Sequence, residues 1–355
     1  MIEIGNAKIF SNHEIDGAID QVREIENTNM YNHIRVMPDY HSGKGCVIGF
    51  TSKITDKVVS PSLVGSDIAC GVVAKSFKDY NFTGEQFKML DAFVQETVNS
   101  LGKDSPKAQK IIDELKCKDK LKDIGYLCDS LGTLGSGNHF LSLEKGNEGI
   151  YLVVHSGSRN LGMQVYAYYQ EQFDNRSSDM ICENPWFNDY LHDMTFVNEY
   201  AEQNRLDMLN RVYNFITDMI GESCDSVSIS SIHNYIDTTY GYVRKGAISA
   251  QKNEKVIIPL NMRDGTIIGV GKGNEEWNFS GPHGAGRYYS RSSAKKAFNV
   301  DEFKEQMKGI YTSSTSEKFI DESPMAYKPV EHILEVIGES VDVTEIIKPI
   351  YVFKN

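Results

Sequence analysis

Ile150-Tyr151-Leu152-Val153-Val154-His155-Ser156-Gly157-Ser158-Arg159 is the stretch from which the rest of the chain is best read. Ile150–Val154 is a continuous five-residue apolar run, the pattern of a buried strand. That strand ends by delivering His155 into a Ser/Gly turn followed by Arg159. An imidazole carried to the rim of a core by a rigid element is well placed for chemistry, although one histidine at a strand end is more often structural.

Further histidines stand in similar surroundings. Of the nine, five lie in short glycine- or serine-rich turns: His41, His139, His155, His233 and His283. One more such turn, Val64-Gly65-Ser66-Asp67-Ile68-Ala69-Cys70-Gly71, holds an aspartate and a cysteine three residues apart. Imidazole, thiolate and carboxylate form the ligand set of zinc, manganese, iron or cobalt, and glycine lets backbone come close to an ion or a phosphate. Taken alone, Cys70 reads as a small buried hydrophobe at the start of a strand. Asp67 is harder to dismiss, because a carboxylate beside Val64 and Ile68 needs a partner. His139 and His155, both beside Gly/Ser turns, and His233 ahead of Asn234 complete a candidate ligand set with Asp67 and Cys70.

His283 is of another kind. Gly281-Pro282-His283-Gly284-Ala285-Gly286-Arg287 is a loop able to wrap closely around a ligand, and Arg287 offers a forked phosphate donor. A histidine beside an anion-binding loop suits a phosphoryl- or nucleotidyl-transfer nucleophile, whereas a plain glycine-rich turn is the blander reading. His41 follows Asp39 by two residues and reads as supporting, with Asp39 able to orient a reactive imidazole. His13, His33, His192 and His332 read as surface or structural.

Around these motifs the chain alternates in character. Cys46–Phe50 and Cys70–Phe77 are β-rich. Gly84–Lys122 carries apolar residues at helical spacing (Phe87, Leu90, Phe93, Val94, Val98, Leu101) and predicts two helices. Asn160–Gly221 is mainly helical, above all Tyr190–Ile220, with Leu206, Leu209, Val212, Tyr213 and Ile216 on one stripe. Strands return at Tyr242–Ala250, Val256–Pro259 and Thr266–Val270, a helix covers Asp301–Tyr311, and the apolar tail Ile347–Phe353 docks on the core. The candidate ligands are dispersed along the chain, so one shared site requires the β-rich parts to fold together. The expectation is a single α+β domain over residues 1–355, with β-sheets around a metal centre and helical insertions at about 84–122 and 160–221.

With 355 residues, 40% of them hydrophobic and 24% charged, the composition is that of a globular protein. No apolar run reaches membrane-spanning length and the start has no leader pattern, so no membrane association and a cytoplasmic location are expected. The six cysteines form no CxxC pair, which suits free thiols. A net charge of −12 counts against general nucleic-acid binding while leaving room for a local basic site. Arg287, Arg291, Lys295 and Lys296 supply one such cluster, and Lys348 and Lys354 lie near the end.

The motifs also resemble, in order, those of the RtcB family of RNA ligases. They are Met37-Pro38-Asp39 with His41 and Gly43-Lys44-Gly45, Asp67-Ile68-Ala69-Cys70-Gly71, Gly135-Ser136-Gly137-Asn138-His139-Phe140-Leu141, His155-Ser156-Gly157-Ser158-Arg159, His233-Asn234-Tyr235, Arg244-Lys245-Gly246-Ala247 and His283-Gly284-Ala285-Gly286-Arg287. Asp321-Glu322-Ser323-Pro324, Ala326-Tyr327-Lys328 and Lys348-Pro349-Ile350 with Lys354 resemble the family's ending. The resemblance implies an RtcB-like fold and a shortened, divergent member of the family. It implies an enzyme that uses GTP and two Mn²⁺ ions to join an RNA 3′-phosphate or 2′,3′-cyclic phosphate to a 5′-hydroxyl, in RNA repair or tRNA processing.

By the same resemblance His283 is the nucleophile that becomes guanylylated, and Asp39 holds its tautomer. Asp67, Cys70, His139, His155 and His233 are the metal ligands, with Cys70 able to bridge the two ions. Asn138, Arg287, Tyr327 and Lys354, together with Gly284, Ala285 and Gly286 of the loop, contact the nucleotide. Two departures stand out. Ser142 replaces a glutamate that helps to read guanine, with Glu144 two residues on. Pro259-Leu260-Asn261-Met262-Arg263 replaces a Pro-Gly-Ser-Met-Gly turn, where Asn261 and Arg263 are substitute phosphate donors. Two alternatives follow: a Mn-dependent phosphohydrolase or phosphodiesterase that has lost guanylylation, and a non-catalytic RNA- or nucleotide-binding protein. The oligomeric state stays open, a monomer among the options.

Overall fold

The run Ile150–Val154 lacks alternation because both of its faces are covered. In the computed structural model, which describes residues 1–28, 30–54, 59–99, 105–174, 185–221 and 228–355, it belongs to the strand Ile150–Ser156. The strands in chain order are β1 Ile2–Ile4, β2 Ala7–Ile9, β3 Asn32–His41, β4 Ile48–Lys53, β5 Gly71–Phe77, β6 Phe140–Lys145, β7 Ile150–Ser156, β8 Ser228–Ile232, β9 Asn234–Asp237, β10 Tyr242–Lys245, β11 Ala247–Ser249, β12 Lys255–Asn261, β13 Gly265–Gly271, β14 Ser280–Pro282 and β15 Val341–Phe353. Leu101, Cys182 and Cys224 lie outside the described residues.

Seven strands form one sheet in the order β12-β13-β15-β6-β7-β5-β8. Its two edges approach each other, since the Ile257 N–H of β12 donates to Ser231 Oγ of β8 at 3.1 Å. The sheet is therefore almost a barrel. Side-chain alternation sorts its residues accordingly. Val72, Ala74, Val153, Ile229, Ile257, Ile268 and Ile347 fill the inside. Val73, Phe77, Leu152 and Val154 point out and pack with Leu90 and Val94 of helix Gly84–Asn99 and with Leu209, Val212 and Ile216 of helix Pro185–Ile220. His155 shares the parity of Tyr151 and Val153, so it closes one end of the interior. β15 stitches the sheet together: Val341–Ile347 pairs with β13, and Lys348–Phe353, after a register shift at Pro349/Tyr351, pairs with β6. The tail thus docks in the core, as its apolar composition leads one to expect.

A second, six-stranded sheet runs β1-β2-β3-β4-β10-β9. The expected single strand Tyr242–Ala250 is broken at Gly246, which takes φ +63° and sends β10 into this sheet and β11 into a two-stranded pair with β14. That break carries the His283 loop, which follows β14, alongside β3. The expected α+β class holds.

Within the expected helical stretches the described helices are Gly84–Asn99, Pro106–Asp113, Arg159–Asp174 and Pro185–Ile220. The expected helix at 301–311 is Val300–Gln306, started by a capping box between Asn299 and Glu302. Helices Asp16–Asn27 and Ile124–Asp129 and the ten-residue β3 have no counterpart in the sequence reading. Among the described residues no helix is long and apolar enough to cross a membrane.

Candidate active site

At the end of the near-barrel, five imidazoles come into a row, His41 and His155 at the ends of β3 and β7 and His139, His233 and His283 on the connecting loops. Ring centroids are 5.4 Å apart for His139–His155, 5.2 Å for His155–His233, 4.8 Å for His233–His283 and 6.5 Å for His41–His283. The Asp67–Cys70 turn lies against this row. Ala69 takes φ +54°, a conformation that costs a non-glycine residue energy and is held here by Arg205, whose Nη1 donates to the Ala69 carbonyl at 2.7 Å and to that of Ser156 at 2.9 Å. Asn234 anchors the same turn from the other side, its Nδ2 donating to the Asp67 carbonyl at 3.0 Å. Gly157 packs so tightly on the Asp67 carboxylate that a Cβ there would overlap it.

Two triads can hold an ion, Asp67/Cys70/His139 and Cys70/His155/His233, and they share the Cys70 sulfur. Cys70 Sγ is 3.4 Å from His139 Nε2 and 3.3 Å from His155 Nε2. The donor chemistry fits a cation. His139 Nδ1 donates to the Leu134 carbonyl at 2.9 Å, which turns the Nε2 lone pair toward Asp67 Oδ2 at 3.0 Å. Lone pairs facing each other at that distance require a proton or a positive ion between them. Burial, reinforced by neighbouring imidazoles, pushes His155 and His233 well below the usual imidazole range, so both are neutral ligand forms. Burial raises Asp67, but the His139 hydrogen bond and charge outweigh it and leave the carboxyl at about 2. Burial and the Asp67 charge push the Cys70 thiol well up, so without a cation it is neutral, and a bound cation would have to displace its proton.

His283 sits beside these groups without joining either triad. Asp39, fully buried on β3, directs one oxygen at the His283 loop: Oδ2 accepts from His283 Nδ1 at 2.5 Å, from the His283 N–H at 3.0 Å and from the Gly284 N–H at 3.2 Å. This fixes Nδ1 as the donor and leaves Nε2 with a free lone pair. Gly286, at φ +73°, lies against the Asp39 carbonyl, where any Cβ would collide. His41 Nδ1 donates to the same carbonyl at 3.0 Å, and burial lowers its pKa to about 4, so it is a neutral supporting group.

A cleft of about 680 Å³ opens beside His283, with Asn138, Arg287, Tyr327 and Lys354 in its wall. Its cations meet on Glu322. Arg287 Nη1, Arg291 Nη1 and Lys354 Nζ lie 3.2, 3.0 and 3.0 Å from that carboxylate, and the Tyr327 hydroxyl donates to it at 2.6 Å. Burial raises Glu322, but Lys354, Arg291 and Arg287 outweigh it and hold the acid at about 2. A phosphate arriving here meets donors that one carboxylate only partly satisfies.

The two departures from the family pattern have clear geometries. Ser142 Oγ donates to Glu144 Oε1 at 2.7 Å, and both line the cleft. Burial pushes Glu144 up to about 7, with the Ser142 hydrogen bond opposing. Asn261 lines the cleft, yet its amide oxygen accepts from the Arg263 and Asp264 N–H groups and its Nδ2 donates to Asp264, so the side chain braces the β12–β13 turn. Arg263 turns away, to Asp264 and Gln306.

Of the proposed site residues, Asp67, Cys70, His139, His155 and His233 come together, as do Asp39 and His283 with the Gly284-Ala285-Gly286-Arg287 loop beside Asn138, Tyr327 and Lys354. Sequence reasoning gave no role to Glu322 or to the helix pair Asn204 and Arg205. Asn204 Nδ2 donates to the Thr133 and Gly157 carbonyls and to Ser156 Oγ at 3.0–3.1 Å. A signal for that pair existed: Ala201, Asn204, Arg205 and Met208 keep core-facing helical spacing, so two polar residues on a buried stripe needed partners.

Comparison with known proteins gives the family. Residues 21–125 and 113–355 match the family model described as "tRNA-splicing ligase RtcB". Among similar proteins, "RNA-splicing ligase RtcB" of Escherichia coli (strain K12) is 28% identical over 96% of this chain and 95% of its own length. "RNA-splicing ligase RtcB1" of Escherichia coli (strain ATCC 25922) is 27% identical with the same coverage. "tRNA-splicing ligase RtcB" of Aeropyrum pernix is 28% identical over 85% of this chain and 83% of its own. With nearly the whole chain matched, this protein belongs to the RtcB family.

Proposed function

We propose that the chain is an RNA ligase that seals 3′-phosphate or 2′,3′-cyclic phosphate ends to 5′-hydroxyl ends, consuming GTP and using two Mn²⁺ ions. Membership of a family whose relatives are named RNA- and tRNA-splicing ligases supports the class of reaction. The chemistry rests on one observation above the rest: a histidine with Nδ1 pinned by a buried aspartate and Nε2 free stands between two potential metal triads and a cationic cleft.

His283 Nε2 attacks the α-phosphate of GTP, a P–N bond forms, and pyrophosphate leaves. Asp39 holds the ring in the reactive tautomer and stabilises the positive charge that develops on it. Arg287 and Lys354 release Glu322 in part and bind phosphate oxygens. A cyclic end is first opened by water, which adds to the cyclic phosphorus as the bond to the 2′ oxygen breaks and leaves a 3′-phosphate. An oxygen of the RNA 3′-phosphate then attacks the guanylyl phosphorus, breaking the P–N bond and freeing His283. The RNA 5′-hydroxyl finally attacks the activated 3′-phosphorus and GMP departs. Asp67, Cys70, His139, His155 and His233 would hold the Mn²⁺ ions, which neutralise charge on the phosphoryl oxygens when bound. Asn138, Tyr327 and the Gly284-Ala285-Gly286 backbone complete the nucleotide wall, and the cytoplasm, where GTP and cleaved RNA meet, is the proposed compartment.

The bracing role of the Asn261 amide and the outward turn of Arg263 favour a second reading, a Mn²⁺-dependent phosphodiesterase that opens cyclic phosphates without guanylylation. Two labelled RNA halves, one ending in 2′,3′-cyclic phosphate and one starting in 5′-hydroxyl, separate the readings. Joining that requires both GTP and Mn²⁺ supports the ligase. Cyclic-phosphate opening without joining, unaffected by GTP, overturns it in favour of the second.

A further inference from the structure

The mouth of the cleft carries two consecutive tyrosines that the nucleotide chemistry does not use. Tyr288 is 63% exposed and Tyr289 36% exposed, and both line the opening together with Arg291. Two adjacent exposed rings at the mouth of a cleft form a local apolar surface that a partner can cover. Their backbone is fixed: the N–H groups of Tyr288 and Tyr289 both donate to the Ala326 carbonyl, at 2.9 and 3.2 Å. The Tyr289 ring is held edge-on against Phe298 at 5.0 Å. The Tyr288 and Tyr289 rings are 5.8 Å apart and inclined by 51°, so they do not stack on each other and a face of Tyr288 stays open. Arg287 Nε donates to the Tyr289 carbonyl at 3.1 Å, which ties a phosphate-binding residue to this same turn.

Charge says what kind of partner fits. The chain carries −12 overall, yet residues 287–297 hold Arg287, Arg291, Lys295 and Lys296 with no acidic residue among them. Arg291 and Lys295 both remain about half exposed although they face Asp321, Lys295 Nζ at 3.5 Å, and the Arg291 contacts to Asp321 and Glu322 use one nitrogen of a guanidinium that has five donors. Open aromatic faces interleaved with cations are the recurring platform for single-stranded nucleic acid, because any base offers a π-face and the cations take the phosphates.

We propose that Tyr288, braced by Tyr289, stacks the base of the terminal nucleotide of a single-stranded RNA end at the cleft mouth, while Arg291 and Lys295 hold the phosphates behind it. This rests on the RNA-ligase reading and adds the point at which the strand enters. Because the recognition is stacking, it tolerates any base, so the substrate class is an unpaired RNA end of any sequence.

The test is binding of a fluorescent ten-nucleotide RNA ending in a 3′-phosphate, read by anisotropy on the full-length protein. A second copy carries 2-aminopurine as its last base, so that stacking is read as quenching. Tyr288→Ala should weaken binding about 5- to 150-fold, the range for loss of one stacked base, and abolish the quenching. Tyr288→Phe should keep both. Equal binding by Tyr288→Ala, or equal loss in Tyr288→Phe, overturns the platform; the melting curve of each variant confirms that it is folded. If the unmodified protein does not bind the RNA at all, the ligase reading itself fails. If it binds and Tyr288→Ala binds and quenches like the parent, the platform alone fails.

Discussion

Asp39→Asn is the perturbation that most sharply probes how His283 is prepared. Asp39 Oδ2 accepts three hydrogen bonds, two from backbone and one from His283 Nδ1, while Oδ1 has no partner among the described residues. An asparagine therefore has one satisfactory orientation, with its oxygen in the place of Oδ2 and its NH₂ in the place of Oδ1. The tautomer survives and the negative charge goes. A hydrogen bond to a charged acceptor contributes about 1.5–3 kcal/mol against about 0.5–1.5 for a neutral one, so the loss is about 1–2 kcal/mol, or roughly 5- to 30-fold in the histidine-labelling rate. If the amide turned over, its NH₂ would face three donors and the imidazole would adopt the wrong tautomer, which costs up to about 10⁴-fold in Asp–His pairs. The assay is a single-turnover measurement of transfer from α-labelled GTP to protein. Asp39→Ala should also destabilise the fold, at about 1–3 kcal/mol for each buried donor left without an acceptor. Asp39→Asn labelling at the parental rate would refute the orienting role.

Further outcomes follow from the same geometry. Cys70→Ala, which removes the sulfur common to both triads, should abolish binding of both Mn²⁺ ions, whereas His139→Ala should cost one; titration calorimetry and metal content check this, and loss of only one ion in Cys70→Ala would rule out a bridging sulfur. Glu144 has its carboxyl raised by burial from 4.5 to about 7, so the folded state holds a proton that the unfolded chain releases and stability falls as pH rises from about 4.5 to 7. Glu144→Gln should therefore gain up to about 3 kcal/mol at pH 8 and almost nothing at pH 4, and melting curves with no such pH difference would contradict the assignment. Gly286→Ala puts a Cβ into the Asp39 carbonyl at a positive φ; it should cost at least about 1 kcal/mol and displace the His283 loop, seen as loss of both labelling and thermal stability.

The parts of this molecule that the sequence makes legible are those with local physical signatures. The unalternating run at Ile150–Val154 follows from a strand covered on both faces, and the apolar stripe at 206–216 follows from a helix lying on that sheet. Turn-borne histidines announce a site because glycine and serine permit close approach. What escapes is long-range. Glu322 gathers Arg287, Arg291 and Lys354 from distant positions, and nothing in Asp321-Glu322-Ser323-Pro324 alone signals such a meeting. The break at Gly246 is hidden because the flanking residues favour extended backbone on both sides, so β10 and β11 read as one strand. Helix Asp16–Asn27 and β3 lie where the sequence alone points to short strands and turns, and the core that orders them is supplied by residues far along the chain.

The central claim is that His283, and no other residue, becomes covalently nucleotidylated. The direct measurement is incubation of the protein with Mn²⁺ and α-labelled GTP, denaturation, and peptide mass mapping of the acid-labile adduct. A guanylyl mass on the peptide containing His283, absent from His283→Ala, is the predicted result. No adduct, or an adduct on a different residue that persists in His283→Ala, would contradict the account.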